Sequence, residues 1–394
     1  MQHLLVTRDF LPELGGAARR NVSLARFYPE PMSVSTVTSR NSSRHDMAED
    51  YKIDRQPFTY RRSTLLLSRI RWELSLAKRC RDRVQVLHCG DVQAAAAVVW
   101  RMHKRLRIPY VLYLSADDVC ILRDGAPHPG SVRGTIGRRA ARRLLGDAAG
   151  IVASTERAAA LARSAMEQFR ISQPPPVIAT GIGADPELFA PGRGTGTLRQ
   201  RWGIRRAPIL LTVARLAEHK GQDAGIQALA LLRGEFPSLR YVLVGEGSDE
   251  ARLRNLAADL SVMDRVGFAG AMRDDELPEA YATSTIYLDA TRVAPGREPV
   301  GHGIAPIEAL AAGLPVVASE AAAACSLLRS GDTAIIVEVA DAPAIADAVA
   351  SLLRDEQRRG EMGLAAREAV ESNLNWNRVA HDTAKFVREC VAGG

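Results

Sequence analysis

The chain has 394 residues, but it lacks both a long apolar run and any close pair of cysteines. Its longest apolar stretch, residues 94–100, is far shorter than the roughly 18–20 residues that span a bilayer. The five cysteines are scattered, which argues against a disulfide framework and a zinc site. The first ten residues lack the basic start and apolar core of a signal peptide, and we predict a strand there. These features together predict a reduced, cytoplasmic protein.

Aromatic residues are scarce at 5%, so aromatic stacking is not expected to dominate binding. Charge is distributed unevenly, because the first 190 residues carry 11 more basic than acidic residues and the rest carry four more acidic than basic. A basic first half suits an acidic ligand, an anionic membrane surface or nucleic acid, and it equally fits arginines that are merely solvated. No recognised nucleic-acid-binding module accompanies it, so we do not expect nucleic acid as a partner.

Short apolar strands alternate with helical stretches along the chain, which is typical of a doubly wound parallel sheet. The alternation is interrupted by a stretch rich in proline and glycine at 173–196 and restarts at 208–213. We therefore predict two Rossmann-like domains, at 1–187 and 188–376, that face a central cleft. Open sheets of this kind bind ligands at the carboxyl ends of their strands.

Two cations follow the strand predicted at 208–213. Arg215 and Lys220 are five residues apart, and Gly221 opens the next helix. An arginine can bind two oxygens at once, a lysine acts as a point charge, and a helix N-terminus attracts anions. The arrangement predicts a diphosphate site, and the alternative is two ordinary surface cations.

A second segment, residues 298–317, places glycines before a short helix that carries Glu308 near its start. Gly301 and Gly303 allow a ligand to approach the backbone, where bare amide groups can face phosphates. The carboxylate of Glu308 can accept hydrogen bonds from ribose hydroxyls. Its alternative role is simple stabilisation of the helix dipole.

At these two segments the chain resembles the retaining glycosyltransferases of family 4, which have the GT-B fold. Four other stretches carry the same resemblance: the acidic, double-glycine loop 9–16, the interdomain turn 180–189, the Gly-x-Gly loop 244–247 and the aromatic element 375–377. The resemblance covers nearly the whole chain. It implies an acceptor-binding first domain, a donor-binding second domain and a last helix, 377–394, that crosses back onto the first.

The resemblance also implies a nucleotide-sugar donor, UDP- or GDP-linked, with no metal or other cofactor. The acceptor would be a glycan, a lipid-linked molecule or a small molecule. Arg215 and Lys220 would clamp the diphosphate, Glu308 would hold the ribose, and the backbone of residues 270–272 would face the base. The donor-binding residues that it implies are Gly15, Gly16, Gly245, Gly270, Ala271, Met272, Gly301, His302, Gly303 and Ile304.

The chain departs from the family pattern in its acidic motif, which is Glu, seven residues, Glu. Val300 stands at the first position, and Glu298 lies two residues earlier, so nine residues separate Glu298 from Glu308. A two-residue insertion near Gly301–Gly303 would restore Glu298 as the catalytic, sugar-contacting carboxylate. Otherwise Val300 occupies the position and the contact is missing. The family's C-terminal glycine pair is replaced by the small run 321–324.

Four features of the first half leave alternatives open. His88 either contacts a substrate or packs as a structural histidine, and Ser115 stands where many family members have an acceptor-side histidine. Asp117 and Asp118 are expected to have a structural loop role and not to bind a cation. Residues 61–83 are a candidate basic amphipathic helix, which either contacts an anionic membrane or packs on its own domain.

The sequence favours a retaining glycosyltransferase that acts through a short-lived ion pair resembling an oxocarbenium ion. A sugar-nucleotide epimerase of the GT-B type would use the same clamp, but it would need proton-transfer residues in the cleft. A degenerate homologue that only binds nucleotide-sugar is the non-enzymatic alternative, and Val300 and Ser115 support it.

Overall fold

The computed structural model describes residues 1–12, 15–39, 42–58, 65–80, 83–124, 137–204, 206–293, 303–322, 327–339 and 341–393. The chain forms two compact units. Met1–Ile182 and Trp376–Gly394 make up the first unit, and Gly183–Asn375 makes up the second. Both are built on a parallel sheet, so the predicted pair of Rossmann-like domains is confirmed. No helix in the described part of the chain combines the length and apolar content needed to cross a membrane.

Among the described residues, the first sheet has seven strands in the order β3-β2-β1-β4-β5-β6-β7, and every pair is parallel. The strands are β1 (His3–Val6), β2 (Met32–Val37), β3 (Ile53–Gln56), β4 (Val86–Cys89), β5 (Tyr110–Leu114), β6 (Gly150–Ala153) and β7 (Val177–Ala179). The helices between them are α1 (Gly16–Phe27), α2 (Ser42–Asp46), α3 (Leu65–Cys80), α4 (Ala96–Leu106), α5 (Ala116–Asp124), α6 (Arg138–Gly146) and α7 (Glu156–Gln168). Because parallel strands need crossover helices, both faces of this sheet are covered.

The second sheet has six parallel strands in the order β10-β9-β8-β11-β12-β13. They are β8 (Ile209–Val213), β9 (Arg240–Val244), β10 (Val266–Gly270), β11 (Ile286–Asp289), β12 (Val316–Ser319) and β13 (Ala334–Val337). The helices of this half are α8 (Thr197–Arg201), α9 (Gln222–Leu232), α10 (Glu250–Asp259), α11 (Leu277–Ala282), α12 (Ile304–Ala311), α13 (Ala342–Arg354) and α14 (Glu356–Asn373), followed by α15 (Trp376–Ala392).

Helix α15 packs on the first sheet, although it follows the second unit in sequence. Its residues Phe386 and Val387 are buried in the same cluster as residues of β1 and α1. Gly150 at the start of β6 makes this contact close, since a Cβ there would lie 2.7 Å from Sγ of Cys390. The core of the first unit is therefore assembled from both ends of the chain.

The strand order of the second sheet decides where its functional loops lie. Because all six strands run parallel, the segments that follow β8, β9, β10 and β11 lie along one edge. β8 lies between β9 and β11, which is the point where the strand order reverses. Ligands of open α/β sheets bind at such a point.

Candidate functional site

Arg215 and Lys220 lie at this edge of the second sheet. Arg215 is exposed two residues after β8, and half-buried Lys220 ends a short 3₁₀ turn directly before Gly221. In the described part of the chain, neither side chain has an ion-pair or hydrogen-bond partner, whereas nearby Arg252 and Arg292 are both paired with carboxylates. Two uncompensated cations beside the N-terminus of α9, which has no side-chain cap, form a favourable site for an anion.

Gly221 allows the start of α9 to touch the loop that follows β11. Its φ of 69° lies in the left-handed region, and a Cβ at this position would lie 1.9 Å from the carbonyl oxygen of Ala290. Only glycine avoids both the backbone strain and this overlap. The backbone beside Lys220 is therefore in close contact with the loop that follows β11.

The loop after β9 packs on the loop after β8 in the same way. A Cβ at Gly245 would lie 2.0 Å from the carbonyl oxygen of Ala214, and a Cβ at Gly247 would lie 2.0 Å from that of Leu216. The amide of Leu216 also donates to the carbonyl of Glu246 over 3.0 Å. The backbone on both sides of Arg215 is fixed by these contacts. Gly247 was not among our candidate site residues, although it belongs to the same Gly-x-Gly motif.

The segment expected to face a nucleobase adjoins this loop. Gly245 donates its amide hydrogen to the carbonyl of Gly270 over 2.8 Å, and Gly270 has a φ of 69°. The next residue, Ala271, is exposed, and its amide lies 3.5 Å from Oε1 of Glu246. Met272 differs from its two neighbours because its side chain is buried in the core. Only its backbone is therefore available for the expected contact.

Helix α12 begins at this edge without a side-chain cap. Gly303 precedes it, and among the described residues beyond its chain neighbours no atom lies within 4 Å of the position where its Cβ would be. Ile304 is the first helical residue and is buried. The third residue, Pro306, has no amide hydrogen, so the first turn offers the amides of Ile304 and Ala305.

Glu308 lies directly after the first turn of this helix. It is the fifth residue of α12, it is 1% exposed, and it accepts a 2.8 Å hydrogen bond from Oη of Tyr281. Because the effect of a helix dipole is confined to its first turn, the dipole alternative is not supported. Tyr281 fixes this carboxylate, and no motif in the sequence identified it. Val300 and the candidates Glu298, Gly301 and His302 lie outside the described residues, as does the small run beyond residue 322.

The first unit carries its own glycine-bearing loop. Gly15 has a φ of 139° with open space where its Cβ would be, and Gly16 starts α1 without a side-chain cap. Asn21 of α1 donates to Oγ1 of Thr7 over 2.9 Å and to the carbonyl of Asp9 over 2.7 Å. These bonds hold the loop at the carboxyl end of β1.

His88 is a buried structural histidine, so a substrate contact is not its role in this structure. It has no exposed surface, and its two ring nitrogens lie 2.8 Å from Nδ1 of His3 and 2.8 Å from Oη of Tyr113. Burial holds the pKa of its imidazole well below the ordinary value. The position at a strand end could not distinguish this packing role from a cleft position.

Ser115 and Asp118 form a reciprocal cap on α5. The amide of Asp118 donates to Oγ of Ser115 over 3.2 Å, and the amide of Ser115 donates back to Oδ2 of Asp118 over 2.9 Å. This is the geometry of a capping box. Asp117 and Asp118 thus lie in the first turn of a helix and not in a loop, and burial raises the pKa of Asp118. Within the residues that the structure describes, no group of three or more acidic, His or Cys side chains could hold a metal ion.

The second unit is similar to a known protein family. Residues 194–369 match the family model described as "Glycosyl transferases group 1". The matched residues lie within the second unit, Gly183–Asn375. They include Arg215, Lys220 and Glu308, together with the glycine loops near them.

The chain is also similar to individual glycosyltransferases. A GDP-mannose-dependent alpha-(1-6)-phosphatidylinositol monomannoside mannosyltransferase of Mycobacterium tuberculosis is 35% identical over 52% of this chain and 54% of its own length. The chain thus matches only about half the length of that relative. The alpha-D-kanosaminyltransferase of Streptomyces kanamyceticus is 28% identical over 81% of each chain.

The fold of the whole chain is that of solved GT-B structures. The Anabaena protein Alr3699/HepE, crystallised in complex with UDP, superposes with a TM-score of 0.76 at 20% identity, covering 99% of this chain and 100% of that one. A sucrose-phosphate synthase from Thermosynechococcus elongatus gives the same TM-score at 19% identity over 100% of both chains. The predicted GT-B fold is therefore confirmed.

Proposed function

We propose that the chain is a retaining, metal-independent glycosyltransferase that moves a sugar from a nucleotide-sugar to an acceptor hydroxyl. The observation that supports this most strongly is the pair of cations, Arg215 and Lys220, that lack partners among the described residues and lie in the segment that matches the group 1 family model. GDP-mannose is the first donor to consider, since it is named in the M. tuberculosis relative. Among acceptors, a lipid-linked molecule is favoured for the same reason.

In this proposal the sugar–phosphate bond breaks as negative charge builds on the departing diphosphate. The guanidinium of Arg215 and the ammonium of Lys220 stabilise that charge, and the N-termini of α9 and α12 add to the field. The backbone at Gly270 and Ala271 contacts the base, and Glu308, held by Tyr281, binds the ribose. These roles need no metal ion, because the protein itself supplies the positive charge.

Retention follows if the acceptor hydroxyl attacks from the face that the leaving group has just vacated. The new bond then forms at the same side of the anomeric carbon, and the acceptor's proton passes to the departing diphosphate. The name of the mycobacterial relative supports this stereochemistry. The sugar of GDP-mannose is α-linked, so an α product requires retention.

The test of this function compares Lys220→Ala with Lys385→Ala, which removes an exposed lysine from α15. Calorimetry with GDP and UDP measures affinity, and NMR of the product formed in EDTA reports its anomeric configuration. We expect Lys220→Ala to lose about 1.5–3 kcal/mol of binding free energy, the range for a charge-assisted contact. Lys385→Ala should bind as the wild type does. Equal affinity of the two variants would refute the clamp, and an inverted product would refute retention.

We also propose that the first unit contacts an anionic membrane through α3. Four apolar side chains on this helix are exposed: Leu66 (61%), Leu67 (56%), Ile70 (39%) and Leu74 (57%). Leu66, Ile70, Leu74 and the exposed Lys78 follow one another at four-residue intervals, so they form one stripe on the helix surface. The opposite face of α3 is buried through Trp72 and Leu76, so the stripe is not needed for the core.

An arginine-rich helix, α6, is separated from α3 by one helix. Helix α4 packs against both α3 and α6, and α6 has no acidic residue. It exposes four arginines: Arg138, Arg139, Arg142 and Arg143. Apolar side chains beside clustered arginines match the composition of surfaces that insert into anionic lipid.

Vesicle co-sedimentation tests the membrane contact. The variant Leu66→Gln/Leu74→Gln should bind vesicles containing phosphatidylglycerol at least tenfold more weakly than the wild type, because about 1.5–3 kcal/mol is lost for each leucine no longer buried. The control Leu231→Gln/Leu364→Gln makes the same change at exposed leucines of the second unit. Equal loss in both variants, or no binding by the wild type, would refute this contact.

A further inference from the structure

An arginine that no motif identified lies beside the cation pair. The guanidinium of Arg292, three residues after β11, forms a two-point ion pair with Asp223 in the first turn of α9. Nη2 of Arg292 lies 2.7 Å from Oδ1 of Asp223, and Nη1 lies 3.0 Å from Oδ2. Asp223 is 8% exposed, so the pair is shielded from solvent and its geometry is restricted.

The backbone of Arg292 is hydrogen-bonded to the segment that carries Lys220. The amide of Arg292 donates to the carbonyl of His219 over 2.7 Å. Two residues before Arg292, the carbonyl oxygen of Ala290 lies so close to Gly221 that a Cβ there would be 1.9 Å from it. Lys220 thus stands between two residues, His219 and Gly221, that are both held by the loop after β11.

The ion pair also controls the local charge. An unpaired Asp223 in the first turn of α9 would repel an anion bound at that helix N-terminus. Arg292 neutralises it, and Arg252 contributes a longer contact of 3.3 Å to Oδ2. Since its charge is used in this pair, Arg292 acts on the site through Asp223 and Lys220.

We infer that Arg292 is a positioning residue, which fixes Lys220 for binding of a diphosphate and removes the repulsion of Asp223. This inference rests on the proposed function, because it concerns the same phosphate site. Diphosphate binding then depends partly on a residue in the loop after β11, whereas the two predicted clamp residues, Arg215 and Lys220, follow β8.

The experiment is a double-mutant cycle read by calorimetry with GDP and UDP. Arg292→Gln should weaken diphosphate binding at least tenfold, and Arg292→Lys should recover part of the loss. In a Lys220→Ala background, Arg292→Gln should weaken binding less than it does in the wild type, because the part of its effect that acts through Lys220 is then absent. Arg201→Gln, which breaks an exposed ion pair with Glu276 in the same unit, is the control and should bind as the wild type does.

Three results would overturn the inference. Affinity of Arg292→Gln within twofold of the wild type would show that the pair does not affect the site. Fully additive losses in the double variant would show that Arg292 does not act through Lys220. A wild type that binds neither GDP nor UDP would remove the proposed function and this inference together, whereas the first two results leave the proposed function standing.

Discussion

Gly221→Ala tests whether the contact between two loop backbones holds the site together. Gly203→Ala is a matched control, since Gly203 has a φ of 67° against 69° at Gly221 but has open space around its Cβ position. Forcing alanine into the left-handed region costs roughly 1–2 kcal/mol at either position. Only at Gly221 would the new methyl group lie 1.9 Å from a carbonyl oxygen, so the Ala290 loop must also move.

The additional cost at Gly221 is about 1–3 kcal/mol, the usual range for an overpacked position. Urea unfolding should therefore place Gly203→Ala about 1–2 kcal/mol below the wild type and Gly221→Ala about 2–5 kcal/mol below it. Calorimetry with GDP or UDP should show weaker binding only for Gly221→Ala, because Lys220 moves with the displaced backbone. Equal stability and equal affinity of the two variants would refute the reasoning.

Three further predictions concern buried polar groups. Burial lowers the pKa of His3, His45 and His88. Below pH 6.5 the unfolded state therefore binds more protons than the folded state. The free energy of unfolding should fall by up to about 1.4 kcal/mol per histidine for each pH unit below 6.5. Urea titrations at pH 7.5 and 5.5 check this, and equal midpoints would contradict it. Tyr281→Phe leaves the buried carboxylate of Glu308 without its phenol donor. It should lower the free energy of unfolding by about 1–3 kcal/mol in a urea titration. A midpoint equal to that of the wild type would show that the bond is dispensable. Ser115→Ala should cost about 1 kcal/mol as a lost helix cap and leave diphosphate affinity unchanged by calorimetry, while an unaltered unfolding midpoint would argue against the capping role.

The strands that the sequence predicts well are those buried in the middle of a sheet. The sequence pattern predicts strands at 110–114 and 240–244, which are the bounds of β5 and β9, since a strand covered on both faces is a mostly apolar run. The three strands that the pattern does not indicate, β3, β7 and β13, are all edge strands. An edge strand needs less apolar surface, and β3 with the sequence Ile-Asp-Arg-Gln shows no strand pattern at all.

Some residues of the candidate site could be predicted from the sequence, and others could not. Arg215, Lys220, Gly221 and Gly245 could be found because they follow strands within a short distance in sequence. Tyr281 and Arg292 could not, because their partners Glu308 and Asp223 are 27 and 69 residues away. Long-range hydrogen bonds leave no periodic trace in the sequence. The same limit applies to His88, whose partner His3 is 85 residues away.

The position of α15 has a consequence for synthesis of the chain. The second unit, Gly183–Asn375, is complete in sequence before the final helix leaves the ribosome. The first unit is not, because its core includes Ala384, Phe386 and Val387 from that helix. A nascent chain released at residue 375 would therefore expose the apolar face of β1, β5 and α1 that α15 covers, and it would be a substrate for chaperones and proteases. A helix translated after the second unit thus completes the unit that was translated before it.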